Sequence, residues 1–322
     1  MTDKTIAVIG ATGATAGGLA RGILNDPQGG YACRAVTRTP DSPAARALAD
    51  LGATVVRADA DDEASLLRAF DGADAAFCMT TMWEHFSAQQ ETAQAANQAR
   101  AASAAGVRHV IWSTTEDTRA WYPLDDDRMP TVQGCYKVPQ WDGKADGDQH
   151  FRDLGVPTTF LLTPFHWEAF VFGMGVPQRG PDGVRTIAFP LGEALLPGIA
   201  AEDIGRCAYS IFKAGEDYAG KTVGIAGEHL TGEQLASGLS ELYGEAVRYQ
   251  PLPIAAFRAL PVPGIDIAAN MFQCVAEVPE YAAHRDVAVA RALNRSLLSF
   301  DDWVSTMRQR KPLPTPASDA RK

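Results

Sequence analysis

The chain has 322 residues, 46% of them hydrophobic, which is enough to bury one large core or two modest ones. Its 39 acidic residues outnumber its 29 basic ones and give a formal charge of -10, whereas nucleic-acid surfaces need clustered Lys and Arg, so we expect no direct nucleic-acid binding. No apolar run reaches the roughly 18 to 20 residues that cross a membrane, no signal-peptide pattern precedes the first strand, and the five cysteines form no C-x-x-C pair, so we expect a cytoplasmic protein without membrane contact.

Short β-branched runs alternate with Ala-rich helical stretches through the first half of the chain. This alternation is typical of βαβ units and a parallel sheet. The clearest helix is predicted over residues 89–105 and is ended by Gly106, which suits a left-handed C-terminal cap. Another helix follows Asp61 and Asp62, either of which can cap it. The predicted strands are residues 5–9, 33–37, 54–57, 75–79, 109–113 and 158–162.

After residue 162 the alternation weakens and prolines become frequent, which indicates a second, smaller region. We predict an α/β fold in which residues 1–163 form a Rossmann-type domain with a doubly wound parallel sheet. Residues 199–227 are expected to return to this domain, and residues 164–198 and 228–310 to form a smaller, interleaved C-terminal α/β lobe. The tail, residues 311–322, carries three prolines among polar residues and is predicted to be disordered.

A glycine-rich string, GATGATAGG at residues 10–18, lies between the first predicted strand and the helix that follows it. A turn from strand to helix aims backbone N–H groups and the positive helix end at a pyrophosphate, and glycines leave room for the phosphates. An ordinary tight turn is the alternative. The predicted contacts of the cofactor here are Gly10, Thr12, Gly13, Ala14 and Thr15.

Arg38 stands at the end of the second strand, where NAD sites carry an acid that binds the ribose 2′-hydroxyl. A guanidinium at this place suits a 2′-phosphate, and one charge-assisted bond gives roughly a tenfold to hundredfold preference for NADP over NAD. The sequence therefore predicts NADP(H) as the cofactor, with an exposed structural Arg as the alternative. Asp59, which ends the third strand, is predicted beside the adenine ring or as a cap of the next helix.

These and later residues resemble the NmrA-like proteins, a branch of the atypical short-chain dehydrogenase/reductases, over about residues 5–305. The resemblance implies a Rossmann domain with a smaller C-terminal lobe and a cleft between them for the nicotinamide. It also implies either a reductase of quinones and other small carbonyl or enone compounds, or an NADP(H)-responsive regulator that binds partner proteins. The matching pieces are residues 10–17, Val36-Thr37-Arg38, Trp83-Glu84, Ser113, Asp142-Gly143-Lys144 and Asp203-Ile204-Gly205-Arg206.

The resemblance also assigns catalytic positions. Short-chain dehydrogenases use Ser, Tyr and Lys, with the Tyr four positions before the Lys. If Lys144 is the matching lysine, position 140 is Gln, which cannot exchange a proton. Ser113 then polarises a substrate oxygen and Lys144 contacts the nicotinamide ribose, with a solvated helix position as the alternative for Lys144. Thr80 is also predicted to contact the cofactor.

Residues 118–139 look like an insertion relative to shorter family members and are a candidate lid over the cofactor. Within it Tyr136 and Tyr122 are candidates for the missing acid, and His166, beyond the sixth strand, is a third. Packing roles are the alternative for each of these side chains. The predicted substrate pocket comprises Met82, Trp83, Thr114, Tyr122, Phe165 and Trp167.

Other chemistries find no motif: the chain has no G-x-S-x-G elbow, no H-E-x-x-H pair, no Walker loop and no spacing typical of metal ligands. We therefore expect no metal. The sequence favours an NADPH-dependent reductase of a small carbonyl, quinone or conjugated substrate, and keeps open an NADP(H) redox sensor with a protein partner and a redox-neutral enzyme that retains the cofactor. Substrate identity, proton donor and oligomeric state stay open.

Overall fold

The computed structural model describes residues 4–310, and the predicted disorder of residues 311–322 lies outside the described residues. The chain divides into two compact units. Within the described part, the first contains residues 4–163, 202–225 and 292–295, and the second contains residues 164–201, 226–291 and 296–310. No helix of the described residues is long and apolar enough to cross a bilayer.

The elements follow one another as strands and helices in alternation through the first half of the chain. The strands are β1 (Lys4–Ile9), β2 (Tyr31–Thr37), β3 (Thr54–Arg57), β4 (Ala75–Cys78), β5 (His109–Thr114), β6 (Thr158–Leu162), β7 (Phe165–His166), β8 (Gln178–Arg179), β9 (Arg185–Ile187), β10 (Leu196–Ile199), β11 (Thr222–Gly224), β12 (Glu228–Leu230) and β13 (Val247–Tyr249). The α-helices are α1 (Ala14–Leu24), α2 (Pro43–Asp50), α3 (Glu63–Phe70), α4 (Ala88–Ala104), α5 (Pro139–Asp153), α6 (Ala169–Phe172), α7 (Ala201–Ala214), α8 (Gly232–Tyr243), α9 (Ile254–Arg258), α10 (Ile265–Glu277), α11 (Pro279–Ala283), α12 (Val287–Leu293) and α13 (Phe300–Gln309). Short 3-10 helices cover Met82–Glu84, Thr118–Ala120 and Gly215–Tyr218.

The first unit is built on one sheet with the strand order β11-β6-β5-β4-β1-β2-β3. All neighbouring strands in it run parallel. The strand order reverses beside β1, because β2 and β3 lie on one side of it and β4, β5, β6 and β11 on the other. The predicted doubly wound Rossmann-type sheet is therefore confirmed, and such sheets bind ligands at the carboxyl ends of the strands beside this reversal.

Burial explains why these runs form strands. Ile6, Ala7 and Val8 of β1 have no exposed surface, and every residue of β4 and β5 is buried, as in parallel sheets that carry helices on both faces. The predicted strands 54–57 and 158–162 have the observed bounds, and the others differ by one or two residues at an end. Within residues 199–227, which are expected to return to this domain, β11 pairs with β6 of the main sheet.

The second unit carries two small three-stranded sheets, β12-β10-β7 and β13-β9-β8. An aromatic cluster fills part of its core: the rings of Phe300 and Trp303 stack at 5.5 Å, and Trp167 packs edge-on against Phe300 at 5.2 Å. The indole Nε1 of Trp303 donates a hydrogen bond to Glu168 Oε1 at 3.0 Å. This is the predicted smaller α/β lobe, with strands of only two to four residues.

Two glycines let α1 and α7 of the first unit approach backbone to backbone. A Cβ added at Gly205 would lie 2.5 Å from the carbonyl oxygen of Thr15 and would overlap the backbone nitrogen of Leu19. A Cβ added at Gly18 would overlap the backbone of Glu202 in the same way. Helix α7 therefore holds α1 in place, and α1 begins directly after the glycine-rich turn.

Gly205→Ala is expected to lower the free energy of unfolding by about 1–3 kcal/mol, because the added methyl group forces two packed backbones apart. Gly22→Ala is the matched control: its Cβ would meet only Tyr209 at 3.7 Å, and Ala inside a helix is favoured over Gly by up to about 1 kcal/mol. Urea denaturation of both variants checks this. Equal stability of the two would contradict the close approach of α1 and α7.

Candidate functional site

The glycine-rich turn joins β1 to α1 and is tied to the end of β2. Gly10 adopts φ +70°, a left-handed conformation that favours glycine. The backbone nitrogens of Gly10 and Ala11 both donate to the carbonyl oxygen of Val36, at 3.1 and 3.3 Å. Gly13 N closes the turn by donating to Gly10 O at 2.8 Å. The turn is thereby fixed at the carboxyl edge of the sheet, beside the strand reversal.

The N-terminus of α1 lies at this edge. Gly13 is its N-cap and has no side chain to cover the first turn. The first N–H groups of a helix, here those of Ala14 and Thr15, have no partner within the helix, and the helix dipole makes this end positive. The hydroxyl oxygens of Thr12 and Thr37 are 3.5 Å apart, which joins the turn to β2. Together these groups form a site suited to an anion such as a pyrophosphate.

Arg38 follows β2 directly and is paired with Glu84. Its Nη2 donates to Glu84 Oε1 at 2.9 Å, and its Nη1 lies 2.8 Å from Glu84 Oε2, so the contact is bidentate. Both side chains are about half exposed. Arg38, the residue predicted to bind a 2′-phosphate, thus lies at the expected edge of the sheet, where it forms an ion pair with Glu84.

Asp59 lies at the end of β3, on the neighbouring strand. Its Oδ1 accepts a hydrogen bond from Asp61 N at 3.1 Å. The cap of α3 is Asp62, which accepts from Ser65 N, so the alternative role of Asp59 as a helix cap is wrong. A contact of Asp59 with the adenine ring stays a prediction.

Lys144 forms a compact cluster with Thr80 and Glu91. Its Nζ donates to Thr80 O at 2.8 Å and to Thr80 Oγ1 at 3.0 Å, and it lies 3.1 Å from Glu91 Oε1. Thr80 Oγ1 in turn donates to Glu91 Oε1 at 2.8 Å. The side chain of Glu91 has no exposed surface and that of Lys144 is 16% exposed, so Lys144 is not a solvated helix residue.

Small residues bring α4 and α5 close enough for this cluster to form. A Cβ at Gly143 would lie 3.1 Å from the carbonyl oxygen of Ala88, and one at Gly147 would lie 2.8 Å from the Cβ of Ala95. Thr92 Oγ1 donates to Gly143 O at 3.1 Å across the same contact. The Ala-rich face of α4 therefore positions the lysine on α5.

Ser113 and Thr114 end β5 at the same edge, and both are buried. Thr114 Oγ1 donates to Asp148 Oδ1 at 2.6 Å, and Trp112 Nε1 donates to the same oxygen at 2.9 Å. Burial raises the pKa of Asp148 to about 6, while the Thr114 hydrogen bond and the Arg152 guanidinium oppose this rise. The hydroxyl of Thr114 thus holds α5 against β5, and its place in a substrate pocket stays a prediction.

Gln140 occupies the position four residues before Lys144, one helical turn away on α5. It is 5% exposed, and neither its Nε2 nor its Oε1 has a hydrogen-bond partner among the described residues. A buried polar group without a hydrogen-bond partner lowers stability by about 1–3 kcal/mol. Buried amides without partners are therefore rare at positions that serve packing alone.

The segment predicted as a lid is packed onto the start of α5. The buried carboxylate of Asp142 accepts hydrogen bonds from Thr118 N and Oγ1 through Oδ1 and from the backbone nitrogens of Lys137 and Val138 through Oδ2. The buried Lys137 Nζ donates to Met129 O at 2.6 Å. Any opening of this segment has to break that network.

Both tyrosines of this segment are buried, Tyr122 at 2% and Tyr136 at 8% exposure. Burial, and then the charge of Asp146, raises the pKa of Tyr136 above its ordinary value of 10. A higher pKa makes the phenol a weaker acid at neutral pH. The structure thus gives Tyr136 no activation as a proton donor, and its catalytic role stays a prediction.

Two predicted pocket residues follow β4. Met82 is 1% exposed and belongs to the core, whereas Trp83 is 41% exposed and packs edge-on against Phe86 at 5.9 Å. Phe86 is exposed as well and adopts φ 57°, which is strained for a bulky residue. Only Trp83 of the predicted pair offers apolar surface at this edge.

The remaining predicted residues belong to the second unit. Phe165 and His166 form β7, and the ring of Phe165 packs against Phe170 at 5.3 Å. His166 is half-buried. Trp167 is 1% exposed within the aromatic cluster with Phe300, so it packs in the core of the second unit, and its place in a substrate pocket stays a prediction.

Sequence reasoning missed three acids of the first unit: Glu91, Asp142 and Asp148. Glu91 and Asp142 are buried, and the side chain of Asp148 is 19% exposed. Each carboxylate accepts hydrogen bonds, and Glu91 also contacts the ammonium group of Lys144. In sequence, Glu91 lies in a helix rich in Ala and Gln, which reads as a solvated surface. The available signal is its spacing from Ala88 and Ala95, small residues on the same helix face. Among the described residues, no group of three or more His, Cys, Asp or Glu is placed to hold a metal ion.

Asp148→Asn is expected to reduce the pH dependence of stability. The folded carboxyl binds a proton below about pH 6, whereas in the unfolded chain it does so only below about pH 4. The wild type therefore loses stability, on the order of 3 kcal/mol, as the pH rises from about 4 to 6. Asn keeps an oxygen for Thr114 and Trp112 and has no proton to lose. Urea denaturation from pH 4 to 7 measures this, and parallel pH profiles of both proteins would contradict it.

Gln140→Met is expected to raise the free energy of unfolding by about 1 kcal/mol, because it removes two unpartnered polar atoms at similar volume. Gln98→Met is the matched control. Gln98 is also buried, but its amide accepts from Met79 N and donates to Met79 O, both at 3.1 Å, so its loss destabilises. Chemical denaturation of both variants checks this, and an equal loss of stability would contradict the unpartnered state of Gln140.

Comparison with known proteins places these features in context. The chain matches the model of the NmrA-like family over residues 2–304. It is 28% identical over 277 residues to the NmrA-like family domain-containing oxidoreductase FrzB of Cladobotryum sp, which covers 81% of this chain and 79% of that protein.

Two solved structures share the fold. NmrA, described as a negative transcriptional regulator and solved in complex with NADP, superposes with a TM-score of 0.76 at 23% identity, covering 100% of this chain and 99% of that one. The Citrobacter sp. triphenylmethane reductase complexed with NADP(H) gives a TM-score of 0.72 at 21% identity, covering 95% and 100%. At these identities the likeness extends to the fold.

Proposed function

Because the chain belongs to the NmrA-like family, we propose that it is an NADPH-dependent reductase of a small carbonyl, quinone or conjugated compound. The observation that carries the proposal is the meeting of the Gly10 turn, the N-terminus of α1 and Arg38 at one edge of the sheet. Two relatives support it, since FrzB is named an oxidoreductase and triphenylmethane reductase was solved with NADP(H).

The residues at this edge fit a dinucleotide. The turn leaves the first N–H groups of α1 open to the pyrophosphate, and a Cβ at Gly13 would crowd Gly10 O at 3.3 Å, so position 13 suits glycine. In the proposed arrangement Arg38 binds the 2′-phosphate, Asp59 lies beside the adenine and Lys144, held by Thr80, meets the nicotinamide ribose. When bound, NADPH supplies the hydride.

The protein's own groups then position the acceptor. Ser113, at the end of β5, donates a hydrogen bond to the acceptor oxygen, and Trp83 offers apolar surface to a flat substrate. Gln140 replaces the usual tyrosine, and its amide can orient an oxygen but transfers no proton. The proton that completes a carbonyl or quinone reduction comes from water or from Tyr136.

An NADP(H) redox sensor with a protein partner is the second candidate. The specific observation in its favour is Gln140, because a protein that only senses the cofactor needs no proton donor at that position. NmrA, which shares the fold, is described as a transcriptional regulator solved with NADP. Under this alternative Ser113 has no substrate to polarise, whereas the Gly10 turn and Arg38 keep their roles.

We also assign the protein to the cytoplasm. The five cysteines form no disulfide bond among the described residues, and Cys135 is exposed while Cys33, Cys78, Cys207 and Cys274 are buried. An exposed free thiol persists in a reducing compartment and is readily oxidised elsewhere.

Purified protein is expected to oxidise NADPH with at least one member of a panel of quinones, enones and aromatic carbonyl compounds. Arg38→Ala is expected to raise the KM for NADPH tenfold to hundredfold, because it removes the cation for the 2′-phosphate, and to leave the KM for NADH unchanged. Arg100→Ala, which removes a surface cation paired with Glu63, is the control and leaves both values unchanged. Absorbance at the nicotinamide band measures the rates.

The same assay separates the two candidates. If calorimetry shows NADPH binding that depends on Arg38, but the panel gives no oxidation, the reductase is contradicted and the sensor is favoured. Pull-downs with and without NADPH then test the sensor, which requires a partner whose capture depends on the cofactor. Identical sets of partners in both conditions would contradict it.

A further inference from the structure

We propose that Glu84 is a specificity-determining residue whose carboxylate competes with the cofactor's 2′-phosphate for Arg38. It thereby sets how strongly the protein prefers NADP(H) over NAD(H). The inference rests on the proposed function, because it needs a dinucleotide at the Gly10 turn. It goes further by giving a role to a side chain outside the predicted contacts of the cofactor.

In the Arg38–Glu84 pair, the carboxylate already occupies two N–H donors of the guanidinium. Nη2 and Nη1 of Arg38 face Oε1 and Oε2 of Glu84 at 2.9 and 2.8 Å. Arg binds phosphate groups through the same paired N–H donors that it offers to a carboxylate. A 2′-phosphate therefore finds these N–H donors of Arg38 already bound to Glu84. A 2′-hydroxyl carries no charge and does not need to displace Glu84.

Binding of both the phosphate and the Glu84 carboxylate to the same guanidinium is unfavourable. Both are anions, and within a few ångströms of each other they repel. A phosphate monoester carries more negative charge than a carboxylate and has three acceptor oxygens. It therefore displaces Glu84 from Arg38, and the free energy of the Arg38–Glu84 pair is subtracted from its binding.

Glu84 can leave without unfolding the segment that carries it. Its side chain is 47% exposed, so it can turn into water. The backbone nearby is held independently: Gln133 Nε2 donates to Phe86 O at 2.8 Å, and Gln133 Oε1 accepts from Ala88 N at 3.0 Å. Rotation of one side chain is thus enough to free Arg38.

The size of the effect follows from the exposure of the pair. Exposed ion pairs contribute little to stability, and a competitor reduces apparent affinity by the fraction of protein in which the site is free. Removing the Glu84 charge is therefore expected to lower the Kd for a nucleotide with a 2′-phosphate about threefold to fivefold, the upper part of the range for an exposed pair. The Kd for NADH is expected to change less than about twofold.

Calorimetric titration of the full chain with NADPH and with NADH tests the proposal. The proteins are the wild type, Glu84→Gln, Arg38→Ala, the double variant and the control Glu63→Gln, which removes a carboxylate from the equally exposed pair with Arg100. Glu84→Gln alone is expected to tighten NADPH binding about threefold to fivefold. Glu63→Gln leaves both affinities unchanged, and in the Arg38→Ala background the gain from Glu84→Gln shrinks to within about twofold. Glu84→Ala serves if Glu84→Gln does not fold.

Three results overturn the inference: no tightening of NADPH by Glu84→Gln, equal tightening of NADH, or the full gain without Arg38. If Arg38→Ala weakens NADPH while Glu84→Gln changes nothing, this inference fails and the proposed cofactor site stands. If the wild type binds neither nucleotide, the proposed function fails and takes this inference with it.

Discussion

The buried carboxylate of Glu91 is the constraint on which the candidate site depends. It has no exposed surface, and a buried charge is tolerated only with a counter-charge and hydrogen bonds. Lys144 and the hydroxyl of Thr80 both contact Oε1, whereas Oε2 has no hydrogen-bond partner among the described residues. Removal of one partner from such a buried pair costs about 3–5 kcal/mol. The pair therefore fixes α5 against α4 and both against the end of β4, where the proposed site lies.

The two cations of the proposed cofactor site are held in different ways. The three donors of the Lys144 ammonium group face Thr80 O, Thr80 Oγ1 and Glu91 Oε1, so its place is settled before any ligand arrives. A ribose hydroxyl has to share these donors with the protein. Arg38 is about half exposed and forms an ion pair with Glu84. A phosphate group from solvent can therefore replace the Glu84 carboxylate. In the proposed arrangement, recognition is therefore rigid at the nicotinamide ribose and adjustable at the adenosine end.

The fold of the first unit could be predicted because its central strands β4, β5 and β6 are buried on both faces and helices separate the strands along the chain. The bounds of β3 and β6 are those predicted. The second unit was predicted only as a lobe, since strands of two to four residues such as β7 and β9 show no readable periodicity. Arg38 and the Gly10 turn follow from local spacing. Glu91 and Asp148 do not, because an acid that is hydrogen-bonded inside the fold looks the same in sequence as a solvated one, and its partners are distant in sequence.

A crystal structure of the protein with NADP+ tests the central claim most directly. The account predicts the pyrophosphate against the first N–H groups of α1, the 2′-phosphate within hydrogen-bond distance of the Arg38 guanidinium, and the nicotinamide ribose beside Lys144. Glu84 is predicted to have turned away from Arg38. A nucleotide bound away from the Gly10 turn, or bound there without contact to Arg38, would contradict the account.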